Sequence, residues 1–306
     1  MEQVIVVTGP TCSGKTRLSL ELAEKLNTEI ISADSRQVYK YLDIGTAKQS
    51  PSELKKVKHH FVSSLEPDAD FNVSNFENEA LAVIGRLHSE NKVPIVVGGS
   101  GLYIKALIDG IFNTADTDND FRTRLMDERK KYGNEYIYKK LEEVDSVSAS
   151  RMLPQNYKRV IRALEVLHLT GKPIWQLQKE YKRDVQIQFH QYGLEWDRDK
   201  LYKNIENRVD EMFEEGLVEE VKSVLAKGYS KDLNALNTVG YKEIISFLEG
   251  EITLKRASEL IKRNTRRFAK RQLTWFKRDE RIKWIKIDSP DNLKIAAEQI
   301  VSEIKK

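Results

Sequence analysis

Apolar positions along the chain fall into two rhythms. One is the short unbroken run: Val4, Ile5, Val6 and Val7, then Ile30 and Ile31, then Ile95, Val96 and Val97. A β-branched run of this length suits a strand covered on both faces. The other is helical spacing. Residues 16–26 carry Leu18, Leu22 and Leu26 with Leu20 and Ala23 beside them, and residues 76–87 place Phe76, Ala80, Val83 and Leu87 on one face. A weaker strand is predicted at residues 61–65. Strand and helix alternate, which predicts a parallel sheet with right-handed crossovers.

The texture changes near Asn113. Residues 114–184 give helix patterns only, at 121–132, 135–142, 157–169 and 174–181. A strand pattern returns at 189–194, and alternation at 282–287 predicts another. Helices are predicted over 199–216, 217–227 and 254–277. The expected fold class is α/β: a parallel sheet flanked by helices, residues 1–113 and 186–306, with an all-helical insertion domain, residues 114–185.

Composition narrows the chemistry. With 40% hydrophobic residues in 306, the chain can build a core, which excludes global disorder. Cys12 is the single cysteine, so a disulfide framework and a Cys-rich zinc site are excluded. The histidines, His59, His60, His88, His168 and His190, lack zinc-finger spacing. The first apolar run is too short for a secretory segment, and none approaches the ~20 residues of a membrane span. The expectation is a soluble cytoplasmic protein with no membrane attachment, and nothing calls for an obligate protein partner.

The first strand runs into Gly9, Pro10, Thr11, Cys12, Ser13, Gly14, Lys15 and Thr16, which fit G-x-x-x-x-G-K-[ST] completely. A buried strand before and an amphipathic helix after are the context that a phosphate-binding P-loop requires. Backbone N–H groups and the helix N-terminus would face phosphate oxygens. Lys15 supplies a cation and the Thr16 hydroxyl can hold Mg²⁺. Cys12 reads as a small loop residue or a thiol activated by the helix end. The motif implies a diphosphate or triphosphate ligand and leaves the reaction open. Ligands of such sheets lie beyond the C-terminal strand ends. Asp34 and Ser100 follow two of the strands and should face that cleft. Asp34 could be a site residue facing the phosphate loop, a metal carboxylate or a helix cap; Ser100 could be a site residue or a turn serine.

Net charge is only +4, from 51 Lys plus Arg against 47 acids, which by itself demonstrates no nucleic-acid partner. The distribution says more. Residues 262–278 hold eight Lys or Arg and no acid. Arg263, Arg266, Arg267, Lys270 and Arg271 share one helical face, with Ile261, Phe268 and Trp275 expected in the core. Five like charges on one face repel, so the face either meets a polyanion or is simply solvated. Lys158, Arg159 and Arg162 form a second cluster. A P-loop with two basic patches makes nucleic acid a plausible substrate.

Taken with residues 34–39 (Asp-Ser-Arg-Gln-Val-Tyr), 44–48 (Ile-Gly-Thr-Ala-Lys), 97–103, 162–166 (Arg-Ala-Leu-Glu-Val), Arg208-Val209 with Met212 and Gly216-Leu217, Gly240-Tyr241 and 272–276 (Gln-Leu-Thr-Trp-Phe), the chain resembles the bacterial tRNA dimethylallyltransferases over nearly its full length. The resemblance implies transfer of a dimethylallyl group from dimethylallyl diphosphate to N6 of the adenosine immediately 3′ of the anticodon, on a P-loop core with a helical insertion. It implies Asp34 as general base, Ser35, Arg36 and Gln37 as adjoining tRNA contacts, and Ser100 beside the reacting amine, where most relatives carry threonine. It implies Arg208 as a diphosphate clamp, and Arg122, Lys158, Arg159, Val160, Ile161 and Arg162 as tRNA contacts. The anticodon stem-loop would be held also by Arg263, Arg266, Lys270 and Arg271. Relatives often have Asn-Pro where this chain has Asn156-Tyr157. The rival readings are a nucleotide kinase, an adenylate prenyltransferase and a non-catalytic RNA-binding module.

Overall fold

The computed structural model describes residues 2–111, 117–181 and 186–305. The chain forms two compact units, Met1–Ile108 with Val185–Lys306, and Asp109–Asp184. The boundaries expected from sequence touch residues 113, 114 and 185, which lie outside the described residues.

In the larger unit the elements run β1 (Glu2–Thr8), α1 (Lys15–Leu26), β2 (Ile30–Ser32), α2 (Pro51–Lys56), β3 (His59–His60), α3 (Val73–Ser89), β4 (Ile95–Val97) and α4 (Gly101–Asp109). The smaller unit holds α5 (Asn119–Tyr132), α6 (Asn134–Val144), α7 (Ser146–Ala149), a short 3₁₀ turn (Pro154–Asn156), α8 (Tyr157–Thr170) and α9 (Ile174–Glu180). The larger unit resumes with β5 (Ile187–Trp196), α10 (Arg198–Glu214), α11 (Leu217–Ala226), α12 (Tyr241–Leu248), α13 (Leu254–Phe276), β6 (Lys283–Ile287) and α14 (Asn292–Ile304).

The six strands form one parallel sheet in the order β3-β2-β4-β1-β5-β6. β1 lies between β4 and β5, with Ile5 opposite both Ile95 and His190. Its side chains alternate between two cores. Ile5 and Val7 pack with Leu18 and Leu22 of α1 and Leu293, Ala296 and Ile300 of α14. Val4 and Val6 pack with Phe76 and Ile84 of α3 and Ile104 and Leu107 of α4. An unbroken run, rather than alternation, is what a strand with apolar neighbours on both faces needs. A further core joins α10 to α13 with Val38, Tyr39 and Leu42. The smaller unit buries Leu125, Ile137, Leu141, Val160, Ile161 and Leu164.

The strand expected at 61–65 is absent; the third strand is the two-residue β3 just before it. Phe61 and Ser63 adopt φ of 61° and 49°, which a pleated strand cannot hold. Residues 63–65 instead donate their N–H groups to Gln37 O and Val38 O at 2.9–3.0 Å. The sequence reading also passes over α4, α12 and α14. α4 opens directly after a glycine-rich turn, which reads locally as loop.

That turn brings β4 very close to the end of β2. A Cβ on Gly98 would sit 2.1 Å from the carbonyl oxygen of Ala33, an immovable backbone atom. Gly98→Ala should therefore destabilise the protein by about 1–3 kcal/mol or more, the usual cost of overpacking. Gly85→Ala, mid-helix with nothing within 4 Å of the added carbon, should be neutral or gain about 0.5–1 kcal/mol. Thermal denaturation of the two variants beside wild type checks the contrast; equal midpoints would contradict it.

Candidate functional site

The loop between β1 and α1 is wrapped by left-handed backbone at Cys12 (φ 62°) and Gly14 (φ 88°), with Gly9 at φ 143°. Gly14 is required twice, since an added Cβ would also lie 2.7 Å from Leu293. α1 begins with no side-chain cap, so its first-turn amides are left for an anion. Lys15 folds back over the loop and donates from Nζ to Pro10 O at 2.6 Å. Burial pushes its pKa down to about 8, against the pull of the Cys12 and Asp34 charges. Burial raises the Cys12 thiol, which fits an inert loop residue rather than an activated thiolate.

Three ties fix this loop from outside. Thr11 donates its N–H to Gln272 Oε1 at 2.8 Å. The Trp196 indole donates to Ser13 O at 2.9 Å. Gly9 packs close against β5, where a Cβ would meet backbone of Leu194 tightly at 3.2 Å. Gln272 and Trp196 lie far along the chain, and neither was assigned a role from sequence. The one local signal is a glutamine occupying a core-facing position of α13, in register with Ala257, Ile261, Ala269 and Phe276.

Asp34 follows β2. Its Oδ1 accepts the N–H groups of Arg36 at 2.9 Å and Gln37 at 3.4 Å, which leaves Oδ2 outside these bonds. Ser100 meets this turn from the end of β4. Its Oγ accepts the Ser35 N–H at 3.0 Å and lies 3.4 Å from Ser35 Oγ, while its own N–H reaches Ala33 O at 3.2 Å. Ser100 thus serves the turn and stands at the cleft together. Arg208 on α10 is near enough for its charge to act on Cys12, and its guanidinium lies 3.6 Å from Glu211.

Arg36 and Gln37 are committed to internal bonds. Arg36 donates to Asn234 O at 2.5 Å. Gln37 is only 9% exposed; it accepts from Ser32 Oγ and donates to Thr46 O and Ala47 O at 3.2 Å. Its side chain braces the loop. The same loop is held from the other side by Glu220, which accepts N–H groups from Asp43, Ile44 and Gly45 at 2.7–3.1 Å and the Tyr241 hydroxyl at 2.5 Å.

Along α13, Arg263, Arg267, Lys270 and Arg271 are exposed. Arg266 instead pairs with Glu206 at 2.5 Å. Phe268 and Trp275, expected in the core, are 40% and 36% exposed, because the inward face is the one carrying Gln272. Trp275 joins Arg267, Lys270, Arg271, Thr274 and Arg278 around an open hollow of about 410 Å³. A flat aromatic among cations suits a stacked base beside phosphates.

In the smaller unit, Lys158 and Arg159 are exposed at the start of α8. Val160 and Ile161, read as tRNA contacts, are buried in that unit's core, because they fall on the inward face of the helix. Glu165, fully buried, gathers the Arg122 Nε at 2.7 Å, the Arg162 Nη1 at 2.5 Å and the Asp118 N–H at 3.0 Å. A buried carboxylate needs such partners, and it sets the two arginines side by side.

Among the described residues no three His, Cys, Asp or Glu gather as a metal site. Thr16 Oγ beside an anion cradle fits Mg²⁺, which prefers few protein ligands plus phosphate oxygens and water. No helix among the described residues is long and apolar enough to cross a membrane.

The model of the family described as IPP transferase matches residues 37–279. A tRNA dimethylallyltransferase of Carboxydothermus hydrogenoformans is 46% identical over 306 residues, covering 99% of this chain and 97% of its own. Another, from Acetivibrio thermocellus, is 45% identical over 307 residues, covering 100% and 97%. The crystal structure of a tRNA isopentenylpyrophosphate transferase from Bacillus halodurans superposes with a TM-score of 0.72 at 37% identity, covering 100% of this chain and 97% of that one. A eukaryotic dimethylallyltransferase acting on tRNA superposes with a TM-score of 0.81 at 28% identity, covering 98% and 78%. The full-length matches take in the P-loop and Asp34, which precede the family segment, and with them the chain belongs to the IPP transferase family, that of the tRNA dimethylallyltransferases.

Proposed function

We propose that the protein transfers a dimethylallyl group from dimethylallyl diphosphate to tRNA, at N6 of the adenosine immediately 3′ of the anticodon, and does so in the cytoplasm. The observation that carries this reading is the meeting of an anion cradle, a carboxylate and a serine turn at neighbouring strand ends. The charge of Asp34 acts on Lys15, and Ser100 is bonded into the Asp34 turn.

The exocyclic amine of adenine is a weak nucleophile. As its nitrogen forms a bond to the allylic carbon, the carbon–oxygen bond breaks and the electron pair leaves with diphosphate. Asp34, through Oδ2, accepts the proton released from N6. Lys15, Arg208 and the first-turn amides of α1 stabilise the growing negative charge on diphosphate. Thr16 would hold Mg²⁺ here, which would supply further positive charge to the leaving group. Ser35 and Ser100 orient the acceptor. A base in a stacked loop must be extruded to reach the cleft. Arg263, Lys270 and Arg271, with Arg122, Lys158, Arg159 and Arg162 of the smaller unit, supply phosphate contacts.

Labelled dimethylallyl diphosphate offered in parallel to an anticodon stem-loop, AMP and ATP should label the stem-loop; label on AMP or none on RNA would overturn the acceptor assignment. Asp34→Asn should lower turnover by about 10²–10⁴-fold with RNA binding kept. Normal single-turnover chemistry on bound RNA would remove Asp34 as the base.

The cradle should also be sensitive to pH. With its pKa near 8, Lys15 is charged at pH 7 and about nine-tenths neutral at pH 9, and an anion selects the charged form. The advantage of wild type over Lys15→Met in binding inorganic pyrophosphate should therefore shrink, by roughly tenfold, between those pH values. Taking the ratio cancels the ligand's own ionisation. A ratio independent of pH in calorimetric titrations would assign Lys15 an ordinary amine.

Phosphate contacts position RNA without reading sequence. Lys270→Ala and Arg271→Ala should each weaken all RNAs alike and reduce the log–log salt slope by about 0.7–0.9. Unchanged affinity and slope would leave this face merely solvated.

A further inference from the structure

α13 turns its charges outward and one amide inward. Gln272 is 6% exposed, and both ends of its side chain are used. Oε1 accepts the N–H of Thr11, in the cradle loop, at 2.8 Å. Nε2 donates to the carbonyl of Gly99, one residue before Ser100, at 3.0 Å. A single planar group thus ties the loop after β1 to the turn after β4. The glycines of that turn make room for it. A Cβ on Gly99 would lie 2.2 Å from Nε2, and one on Gly101 would lie 2.3 Å from Trp275 of the same helix.

We infer that Gln272 is a positioning residue, which sets the spacing between the diphosphate cradle and the Ser35–Ser100 turn. The inference rests on the function proposed above: it makes Gln272 the gauge between the allylic carbon of the donor and the attacking amine. Gln272 touches neither reactant and acts through Thr11 and Gly99. The side chain suits the task because one rigid plane offers an acceptor and a donor at fixed separation. Asparagine, shorter by a methylene, could not reach both. Reactions between two bound partners are steep in distance, and a misplacement of about 1 Å can cost about 10²-fold in rate.

The test uses the full-length chain and three separate measurements: affinity for inorganic pyrophosphate, affinity for an anticodon stem-loop, and the single-turnover rate with both reactants saturating. Gln272→Met keeps the volume and loses both bonds. Both affinities should stay within about threefold while the rate falls by about tenfold to a hundredfold. Gln272→Glu adds a signature that packing alone would not produce. When protonated, its carboxyl group offers C=O to Thr11 and O–H to Gly99, the pattern of the amide; when ionised, it repels the Gly99 carbonyl. Its rate relative to wild type should therefore rise as pH falls from 8 to 6, because burial favours the neutral acid. If Gln272→Met does not fold, this pH series carries the test alone. A flat ratio across pH, or loss of both affinities with an intact rate on the bound complex, would overturn the inference. Failure of wild type to bind either ligand would instead overturn the functional reading, and this inference with it.

Discussion

The burial of β1 on both faces is the constraint on which the site depends. Val4 and Val6 are committed to one core and Ile5 and Val7 to the other, so the strand can neither slip nor tilt without exposing apolar surface. A slip of one residue would exchange the two sets. The chain therefore leaves the sheet at one place, and the loop from Gly9 to Gly14 starts from a fixed point. β2 and β4 end alongside, held by Ala33 N–H on Val97 O at 2.7 Å. The cradle, Asp34 and Ser100 are three loops grown from adjacent rigid ends, the arrangement in which loops carry chemistry most accurately.

Charge is handled differently in the interior and at the surface. Away from the basic stripe, acidic side chains are gathered by partners: buried Glu165 by two arginines, half-buried Glu220 by three backbone amides and a tyrosine hydroxyl. Each holds a segment that has no regular structure of its own, or sets side chains that would otherwise wander. On α13, Arg263, Arg267, Lys270 and Arg271 have no acidic partner among the described residues, while Arg266 and Lys262, nearer α10, are neutralised by Glu206 and Asp210. The field is confined to one stripe of the helix.

What was legible in the sequence was mostly local. The unbroken runs of β1 and β4, the P-loop and the leucine spacing of α1 each declare themselves within a dozen residues. Residues 61–65 misled because apolar content says nothing about a left-handed φ at Phe61 or Ser63. Phe268 and Trp275 misled because amphipathic reasoning assigns aromatics inward, whereas here they share the cationic side. Val160 and Ile161 lie within a segment whose charged members face outward, but helical geometry turns these two in. Gln272 was invisible because its partners are 261 and 173 residues away and lie on backbone, which no side-chain pattern encodes.

The two-faced character of α13 also limits how the chain can vary in length. Each residue of an α-helix advances the face by about 100°. Side chains along the exposed strip can be exchanged one at a time without disturbing the packing beneath, since each meets solvent. One residue added or lost between Ala257 and Ala269 is another matter, because it rotates everything beyond it. An added residue would bring Arg271 to the seat of Gln272, with five donors and no acceptor for the Thr11 N–H. The same step would turn the cationic stripe, and the hollow it lines, out of its present direction. This helix should accept exchange of one exposed cation for another far more readily than any change in its length.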